Sequence, residues 1–323
     1  LGTNFIIYSQ DQVWLMEFTG GSFIFNFRKL FSDVGIMNQN CVCEVEGKHF
    51  VFGDNDIYMH DTHTRQSIVD EKIKQYVFSG LNSSKTDRCF VQHNPDLEEI
   101  YFCYASGDDM AEFTSGGRCN RAAVYNYKNS TWSFMDLPNV NSSTQATVDS
   151  TNTYATINAT YASMGGSYFS QESGYATHVL FVGQSSSADG ISSDKLYGLD
   201  LSDTNTSLSF PLDLEGNRAP LIERVGIDLD EMSSVSGYKV VTKVYPQVTT
   251  DNANKQFEFT FGASDLQGSA PVYSAAVVFD GATDHKIDSR AAGRYLAYKM
   301  TMSGTKDFAF IGFDAEVTTT GRR

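Results

Sequence analysis

The sequence predicts an all-β fold, in which β-propeller-like blades are followed by a β-sandwich-like C-terminal domain. Three observations support this prediction. A pair of apolar strands around a polar turn recurs along the first two thirds of the 323 residues. Aromatic residues make up 13% of the chain, which is typical of pleated, half-buried strands. From about residue 215, short runs alternate between apolar and polar residues, with Gly, Asp and Ser turns between them.

The recurring strand pair has four copies in the region 1–214. The copies are 5–8 with 13–16, 49–52 with 57–61, 100–104 with 123–127, and 178–182 with 195–200. Phe5 and Phe50 open the first two copies about 45 residues apart, and Tyr101 follows about 51 residues later. A repeat of about 40–50 residues is typical of β-propellers and related arrays. The region 1–214 is therefore predicted to consist of blades, and because the chain opens without Met, we read it as a fragment of a longer polypeptide.

A short helix is predicted to interrupt the blades at about 67–80. Apolar residues at positions 68, 69, 73, 76 and 77 fit one face of a helix. Ser67 followed by Asp70 resembles a capping box, and Gly80 supplies a stop signal. We expect this helix to pack on the propeller rim or on a partner.

The segment 139–177 differs in composition from the blades around it. Ser, Thr and Asn account for 18 of its 39 residues, and its only charged residues are Asp149 and Glu172. We expect a long loop or a hairpin extension, because propeller blades often carry such insertions and long loops often carry function.

The region 215–323 is predicted to be a separate β-sandwich-like domain. Its candidate strands are 220–229, 238–245, 257–262, 273–279, 294–302 and 308–317. Strands of this length with turn residues between them are typical of sandwiches.

The negative charge is concentrated in the first domain. The chain has a net charge of −15, and residues 1–214 hold 25 acidic and 12 basic residues, against 14 and 12 in 215–323. An acidic surface does not hold nucleic acid, because that affinity requires cations on the phosphates. It suits a wall past which DNA slides without sticking, and solubility alone is the other explanation.

Five cysteines, an odd number without a regular framework, predict free thiols in a reducing compartment. Cys41 and Cys43 are too close in sequence for a zinc knuckle, and we expect both to be small buried residues on one face of a strand. No apolar run is long enough to span a membrane.

Three short motifs contain residue types that are used in catalytic or metal sites. His60-Asp61-Thr62-His63 offers metal ligands but follows a strand, so a solvated turn is favoured. Asp54-Asn55-Asp56 lacks the Gly and Glu of a calcium loop, so a hairpin turn is favoured. Ser192 and Lys195 match an acyl-transfer pattern without its supporting motifs. We therefore predict no catalytic, cofactor-binding or metal-binding residues, no cofactor, and no enzyme activity.

Three stretches of the sequence together resemble one protein family. They run from Phe31 to Tyr58, from Arg88 to Ser133, and from Gly293 to Arg323; the first contains Glu46-Gly47-Lys48-His49-Phe50-Val51-Phe52-Gly53-Asp54 and the last contains Ile311-Gly312-Phe313-Asp314-Ala315-Glu316-Val317. Their order is similar to that in the tail nozzle proteins of short-tailed bacteriophages, also called tail tubular protein B or packaged-DNA stabilisation proteins. The resemblance covers most of the chain except 139–177 and parts of the C-terminal domain.

The resemblance implies a structural protein of the virion tail, assembled in the host cytoplasm. It implies a six-fold ring of identical chains below the portal and the head–tail adaptor, contacts with tail fibres or spikes, and no catalysis. Genomic DNA would pass along an axial channel without specific binding, and the polar segment 139–177 would be a gate or tip element.

Two other functions remain open on the sequence. The chain could be a propeller-type module of a viral tail that binds a protein or a glycan, which exposed Tyr or Trp on one face would support. It could also be a propeller glycosidase, which requires two converging carboxylates, with Asp54, Asp56 and Asp108 as the candidates.

Overall fold

The computed structural model confirms an all-β fold. It describes residues 4–21, 24–107, 117–147, 177–184, 194–199, 209–210, 221–229, 237–250, 256–266, 268–302 and 308–320. The chain divides into two compact units, Leu1–Phe210 and Pro211–Arg323. The boundary expected from the sequence, between residues 214 and 215, lies outside the described residues. No helix among the described residues is long and apolar enough to cross a membrane.

The first unit contains four sheets that follow one another along the chain. Sheet 1 consists of β1 (Phe5–Tyr8), β2 (Val13–Phe18) and β3 (Phe25–Phe31). Sheet 2 consists of β4 (Val42–Val45), β5 (Lys48–Phe52), β6 (Ile57–His60) and β7 (Arg65–Ser67). In both sheets each strand pairs antiparallel with the next one in sequence.

Sheets 3 and 4 continue this pattern with four strands each. Sheet 3 consists of β8 (Phe90–Asn94), β9 (Glu99–Tyr104), β10 (Cys119–Asn126) and β11 (Thr131–Val140). Sheet 4 consists of β12 (Ser142–Thr147), β13 (Thr177–Gln184), β14 (Asp194–Leu199) and β15 (Ser209–Phe210). All pairings are antiparallel except that of β14 with β15, which is parallel.

Each predicted strand pair is one antiparallel pair of the structure. The four copies correspond to β1 with β2, β5 with β6, β9 with β10, and β13 with β14. The periodicity therefore located the central strand pair of sheets 2, 3 and 4, and in sheet 1 it located the central strand β2 with the edge strand β1. A radial, propeller-like arrangement of these sheets stays a prediction.

The predicted helix is present but begins later than expected. Helix α1 spans Glu71–Gly80, and its cap is Asp70, whose carboxylate accepts a hydrogen bond from the backbone N–H of Ile73 at 2.7 Å. Ser67 is the last residue of β7 instead, and its hydroxyl donates to Asp56 at 2.7 Å. The helix ends at Gly80 as predicted, and a short 3₁₀ helix follows at Ser83–Arg88.

The main core of the first unit lies between sheets 2 and 3 and α1. Phe52 is fully buried and makes edge-to-face contacts with Phe78, Phe102 and Tyr104 at centroid distances of 5.8–6.4 Å. Such pairs add to the stabilisation that apolar burial provides. The strand β9 is buried on both faces because Phe102 packs on Phe52 of sheet 2, while Tyr101 packs on Phe181 of sheet 4.

The segment 139–177 was expected to be a loop or hairpin extension, and its beginning is regular sheet. Residues 139 and 140 end β11, and residues 142–147 form β12, which pairs with β13 along its whole length. The part from 148 to 176 lies outside the described residues.

The second unit contains two sheets around one core. Sheet 5 consists of β16 (Leu221–Ile227), β18 (Gln256–Ser264), β19 (Val272–Tyr273), β20 (Val277–Asp280) and β23 (Tyr295–Met302). Sheet 6 consists of β17 (Tyr238–Thr250), β21 (Ile287–Asp288), β22 (Ala292–Gly293) and β24 (Phe308–Thr320).

The core of the second unit is built by alternation along the long strands. In β18, Phe257, Phe259 and Phe261 are buried, while Glu258 between them is exposed. They pack with Val241 and Val244 of β17 from the other sheet. The two sheets thus share one apolar core, as in a sandwich.

The predicted strands of the second unit match the structure, with one break. The segment 273–279 was predicted as one strand but forms two short ones, β19 and β20. Both pair with the same edge of β18, at Gly262–Ala263 and at Gln256–Phe259 respectively, so the chain between them must leave the sheet.

Candidate functional site

A tyrosine and two histidines form a buried polar cluster between sheets 1 and 2. Tyr8 ends β1, and His49 and His60 lie directly opposite each other in β5 and β6. The Tyr8 hydroxyl is 2.6 Å from His49 Nδ1 and 2.6 Å from His60 Nε2. We call these three residues the Tyr8 cluster.

Aromatic rings enclose the inner member of the Tyr8 cluster. His60 is 1% exposed, stacks on Tyr58 at 6.1 Å, and meets the ring of Phe31 edge-on at 5.5 Å. Burial, followed by the nearby His49, lowers the pKa of His60 to about 4. Burial also lowers the pKa of His49 and raises that of Tyr8. At neutral pH all three groups are therefore uncharged.

The hydrogen-bond partners define which group donates and which accepts at each step through the Tyr8 cluster. The backbone N–H of Thr62 faces His60 Nδ1 at 3.4 Å, so this nitrogen accepts and Nε2 carries the proton. His60 then donates to the Tyr8 oxygen, and the Tyr8 hydroxyl donates to His49 Nδ1. The remaining His49 nitrogen, Nε2, carries a proton and lies 3.9 Å from the Glu44 carboxylate. The chain of donors runs from the interior towards an exposed acid.

This arrangement suits a structural joint or a proton path better than a metal site. A metal would need the Nε2 lone pair of His60, and the Thr62 N–H facing Nδ1 favours the tautomer in which Nε2 is protonated. Among the described residues, no group of three or more His, Cys, Asp or Glu side chains could hold a metal ion.

A surface cleft of about 430 Å³ borders the cluster at Tyr8 and is lined further by Ser9, Gln10, Ile36, Met37, Asn38, Gln39 and Val42. None of its lining residues is acidic or basic, so the cleft itself supplies no acid–base group beyond Tyr8.

The predicted turn motif His60-Asp61-Thr62-His63 does not converge on one point. Asp61 accepts from the backbone N–H groups of His63 and Thr64 at 3.0 and 2.7 Å, which holds its pKa at about 2. His60 points into the Tyr8 cluster, whereas His63 is exposed and contacts the Thr62 hydroxyl. The turn interpretation is thus confirmed, and the role of His60 was missed.

Two of the three carboxylates named for a glycosidase occupy a hairpin turn. Asp54 and Asp56 lie between β5 and β6, where the Gly53 N–H bonds to the Asp56 carbonyl at 2.9 Å. Asp108 and Ser192 lie outside the described residues, and Lys195 lies in β14.

All five cysteine thiols are free. Cys41 is buried and directly precedes β4, Cys43 lies within β4 and is only partly buried, and both pack against the same core. Burial raises the pKa of every thiol. Cys41, Cys89, Cys103 and Cys119 lie near one another, and neighbouring thiols raise the pKa of Cys103 and Cys119 further.

No protein-family model matches the sequence, and no curated protein matches it. Among solved structures, an exo-beta-1,3-galactanase from Phanerochaete chrysosporium is similar at 8% sequence identity, over 97% of this chain and 67% of the galactanase chain. The TM-score is 0.15, which carries no argument about fold or function.

Proposed function

We propose that this chain is a structural virion protein that forms the tail nozzle or tube of a short-tailed bacteriophage. In this role it is a conduit and gate below the portal and adaptor, which retains the genome and then lets it pass. The chain assembles in the host cytoplasm as a ring, with six copies as the expected number, and contacts tail fibres or spikes. It performs no catalysis.

One observation supports this proposal above the others. The first unit consists of consecutive small antiparallel sheets, and the region 1–214 carries 25 acidic against 12 basic residues. A rigid acidic wall would repel the DNA backbone and leave it free to slide. Two of the three stretches that resemble the nozzle family form sheets 2 and 3 and their connections.

Cryo-electron microscopy of the parent protein with the portal–adaptor complex of its phage tests the proposal. We expect a ring that caps the adaptor, with residues of 1–214 around an axial channel. A chain that stays free of the adaptor and assembles no ring would contradict it.

A deletion tests the gate assignment of the polar segment. Since 142–147 form β12, the deletion should leave that strand intact and remove 150–174. We expect premature loss of DNA or failed ejection, measured as DNA content and infectivity of the particles. Normal DNA retention and infectivity of the particles would contradict a gate role for this polar segment.

A second candidate function is a binding module of a viral tail. Tyr76 of α1 and Phe134 of β11 are 42% and 37% exposed and meet edge-on at a centroid distance of 4.6 Å. Exposed aromatic pairs of this kind are surfaces on which sugars or peptides stack. Binding on a glycan array that disappears in Tyr76→Ala would favour this function.

A further inference from the structure

Sheet 1 presents one face that consists almost entirely of apolar side chains. The strand register places Phe5, Met16 and Phe27 in one row, and Phe18 opposite Phe25. Alternation adds Ile7 and Trp14 to the same side of the sheet. We call these seven residues the aromatic face: Phe5, Ile7, Trp14, Met16, Phe18, Phe25 and Phe27.

The aromatic face is exposed although it is apolar. Phe5, Phe18, Phe25 and Phe27 are 63%, 72%, 44% and 56% exposed. At about 200 Å² for one aromatic side chain, these four rings alone expose roughly 450 Å². A contiguous patch of this size falls within the range of about 300–600 Å² that the largest apolar patch of a soluble monomer covers, and such patches are often functional.

The charge around the aromatic face limits which kinds of partner this face can bind. The chain has a net charge of −15, yet the face contains no acidic residue. Lys29 lies on the same side of the sheet, opposite Trp14, and its Nζ is 5.0 Å from the centre of the Trp14 ring. An acidic chain is repelled by nucleic acid and by anionic lipid surfaces, so an apolar protein surface is the matching partner.

We propose that the aromatic face binds the same face of a second copy of this chain. Two apolar sheet faces pack at about 10 Å with their strands nearly aligned. Phe18 and Phe25 already form an edge-to-face pair at 5.9 Å, a geometry that rings from a second copy can extend. An isologous contact needs one self-complementary patch. Apart from Lys29, whose Nζ lies over the Trp14 ring, the face meets its copy without like charges at the contact.

The area available is sufficient for a specific dimer. With Ile7, Trp14 and Met16 included, each copy contributes about 600 Å², so the pair buries about 1,200 Å², the lower limit for stable interfaces. The acidic remainder of each copy opposes association at long range. Salt screens that repulsion and leaves the apolar contact intact, so the dimer strengthens as ionic strength rises.

Sedimentation analysis of the chain tests this inference at protein concentrations up to about 100 µM, at low and high salt. We expect a species of twice the 35.7 kDa chain mass, more abundant at high salt. The double variant Phe18→Glu/Phe27→Glu should be monomeric, and so should Phe5→Glu at the other end of the face. The matched control is Val272→Glu, an 82% exposed apolar residue of the second unit, which should remain dimeric.

A monomeric wild-type chain, or a dimer that persists in both the double variant and Phe5→Glu, overturns the inference. Circular dichroism of each variant shows whether it is folded, and because the substituted rings are exposed, we expect unchanged spectra. Failure of the nozzle proposal is a separate result. If the chain dimerises through this face but builds no ring on the adaptor, the dimer inference is supported and the proposed function is contradicted.

Discussion

Tyr8 connects two sheets through imidazoles that lie 41 and 52 residues further along the chain. The hairpin prediction with its turn at 53–56 already places His49 opposite His60, so the sequence could have paired these two side chains. It could not have supplied Tyr8, because contacts between sheets leave no spacing signal in the chain. The strand periodicity predicts that Tyr8 belongs to β1, but it does not predict which groups the Tyr8 hydroxyl contacts.

Removing the Tyr8 hydroxyl should weaken the fold. Tyr8→Phe leaves the His60 Nε2–H and the His49 Nδ1 lone pair without their partner in a buried site. We expect the free energy of unfolding to fall by about 2 kcal/mol, measured by urea denaturation at pH 7. Tyr295→Phe, at a partly exposed tyrosine of the second unit, is the control and should change stability by less than about 0.5 kcal/mol. Equal effects of the two substitutions would contradict the role of the Tyr8 hydroxyl in joining sheets 1 and 2.

Stability should depend on pH through His60. Its pKa is lowered to about 4 in the folded protein, against about 6.5 in the unfolded chain, so the unfolded chain binds the proton first as pH falls. The contribution is present above pH 6.5 and is lost between about pH 6.5 and 4. We expect the melting temperature to fall over this window, and to fall less in His60→Gln. His63→Gln, which replaces an exposed imidazole outside the Tyr8 cluster, is the matched control.

Gly35 lies where no side chain fits. A Cβ at this position would stand 2.1 Å from the Ser9 carbonyl oxygen, and Tyr58 donates a hydrogen bond to the Gly35 carbonyl at 3.0 Å. Gly35→Ala should therefore destabilise the protein by more than about 2 kcal/mol, because backbone atoms must move. Gly107→Ala is the control, since a Cβ there has open space. A thermal melt of both variants measures the difference, and an unaffected Gly35→Ala would contradict it.

At the scale of elements, strands were easier to locate from the sequence than helix termini. Alternation over several residues defines β18 from its Phe residues, whereas one side-chain hydrogen bond decides where α1 begins. Ser67 had the right residue type for a cap, but its hydroxyl bonds to Asp56 across 11 positions of the chain. The carboxylate of Asp70, the second residue of the predicted capping box, is available to the helix N-terminus, so Asp70 is the cap.

Asn38 ties the C-terminal part of the 3₁₀ helix after α1 to the chain before β4. The Asn38 amide donates to the Thr86 and Cys89 carbonyls at 2.6 and 2.7 Å, while its own oxygen accepts from the Asn40 N–H. Asn38→Asp keeps the acceptor and loses both donors, so we expect a loss of about 2–3 kcal/mol at neutral pH. Faster amide hydrogen exchange in 83–89 would show that the effect is local. Asn55→Asp, in an exposed turn, should change neither quantity.

At the scale of the whole molecule, the strand patterns and aromatic content predicted the all-β class, and the residue counts show the charge imbalance. Neither could predict how the sheets are arranged. Four sheets in chain order follow from four strand pairs, because neighbouring antiparallel strands need only short turns. Their relative placement depends on side-chain contacts such as that of Phe52 with Phe102, which join copies about 50 residues apart.

The charge imbalance makes a prediction for the complete chain. With 39 acidic and 24 basic residues, it should leave double-stranded DNA unshifted in a gel assay at about 100 µM protein and about 150 mM salt. Lowering the salt should not create binding, in contrast to proteins that neutralise phosphates. A retarded band that strengthens as salt falls would reveal a basic surface and argue against free passage of DNA.

The crowded thiols of Cys41, Cys89, Cys103 and Cys119 have a consequence for the lifetime of the protein outside a cell. Oxygen and peroxide attack the thiolate, and groups that are buried and held as neutral thiols supply almost none of it. We therefore expect these four thiols to stay reduced when the molecule leaves a reducing environment for an oxidising one, because burial keeps them protonated and away from oxidants.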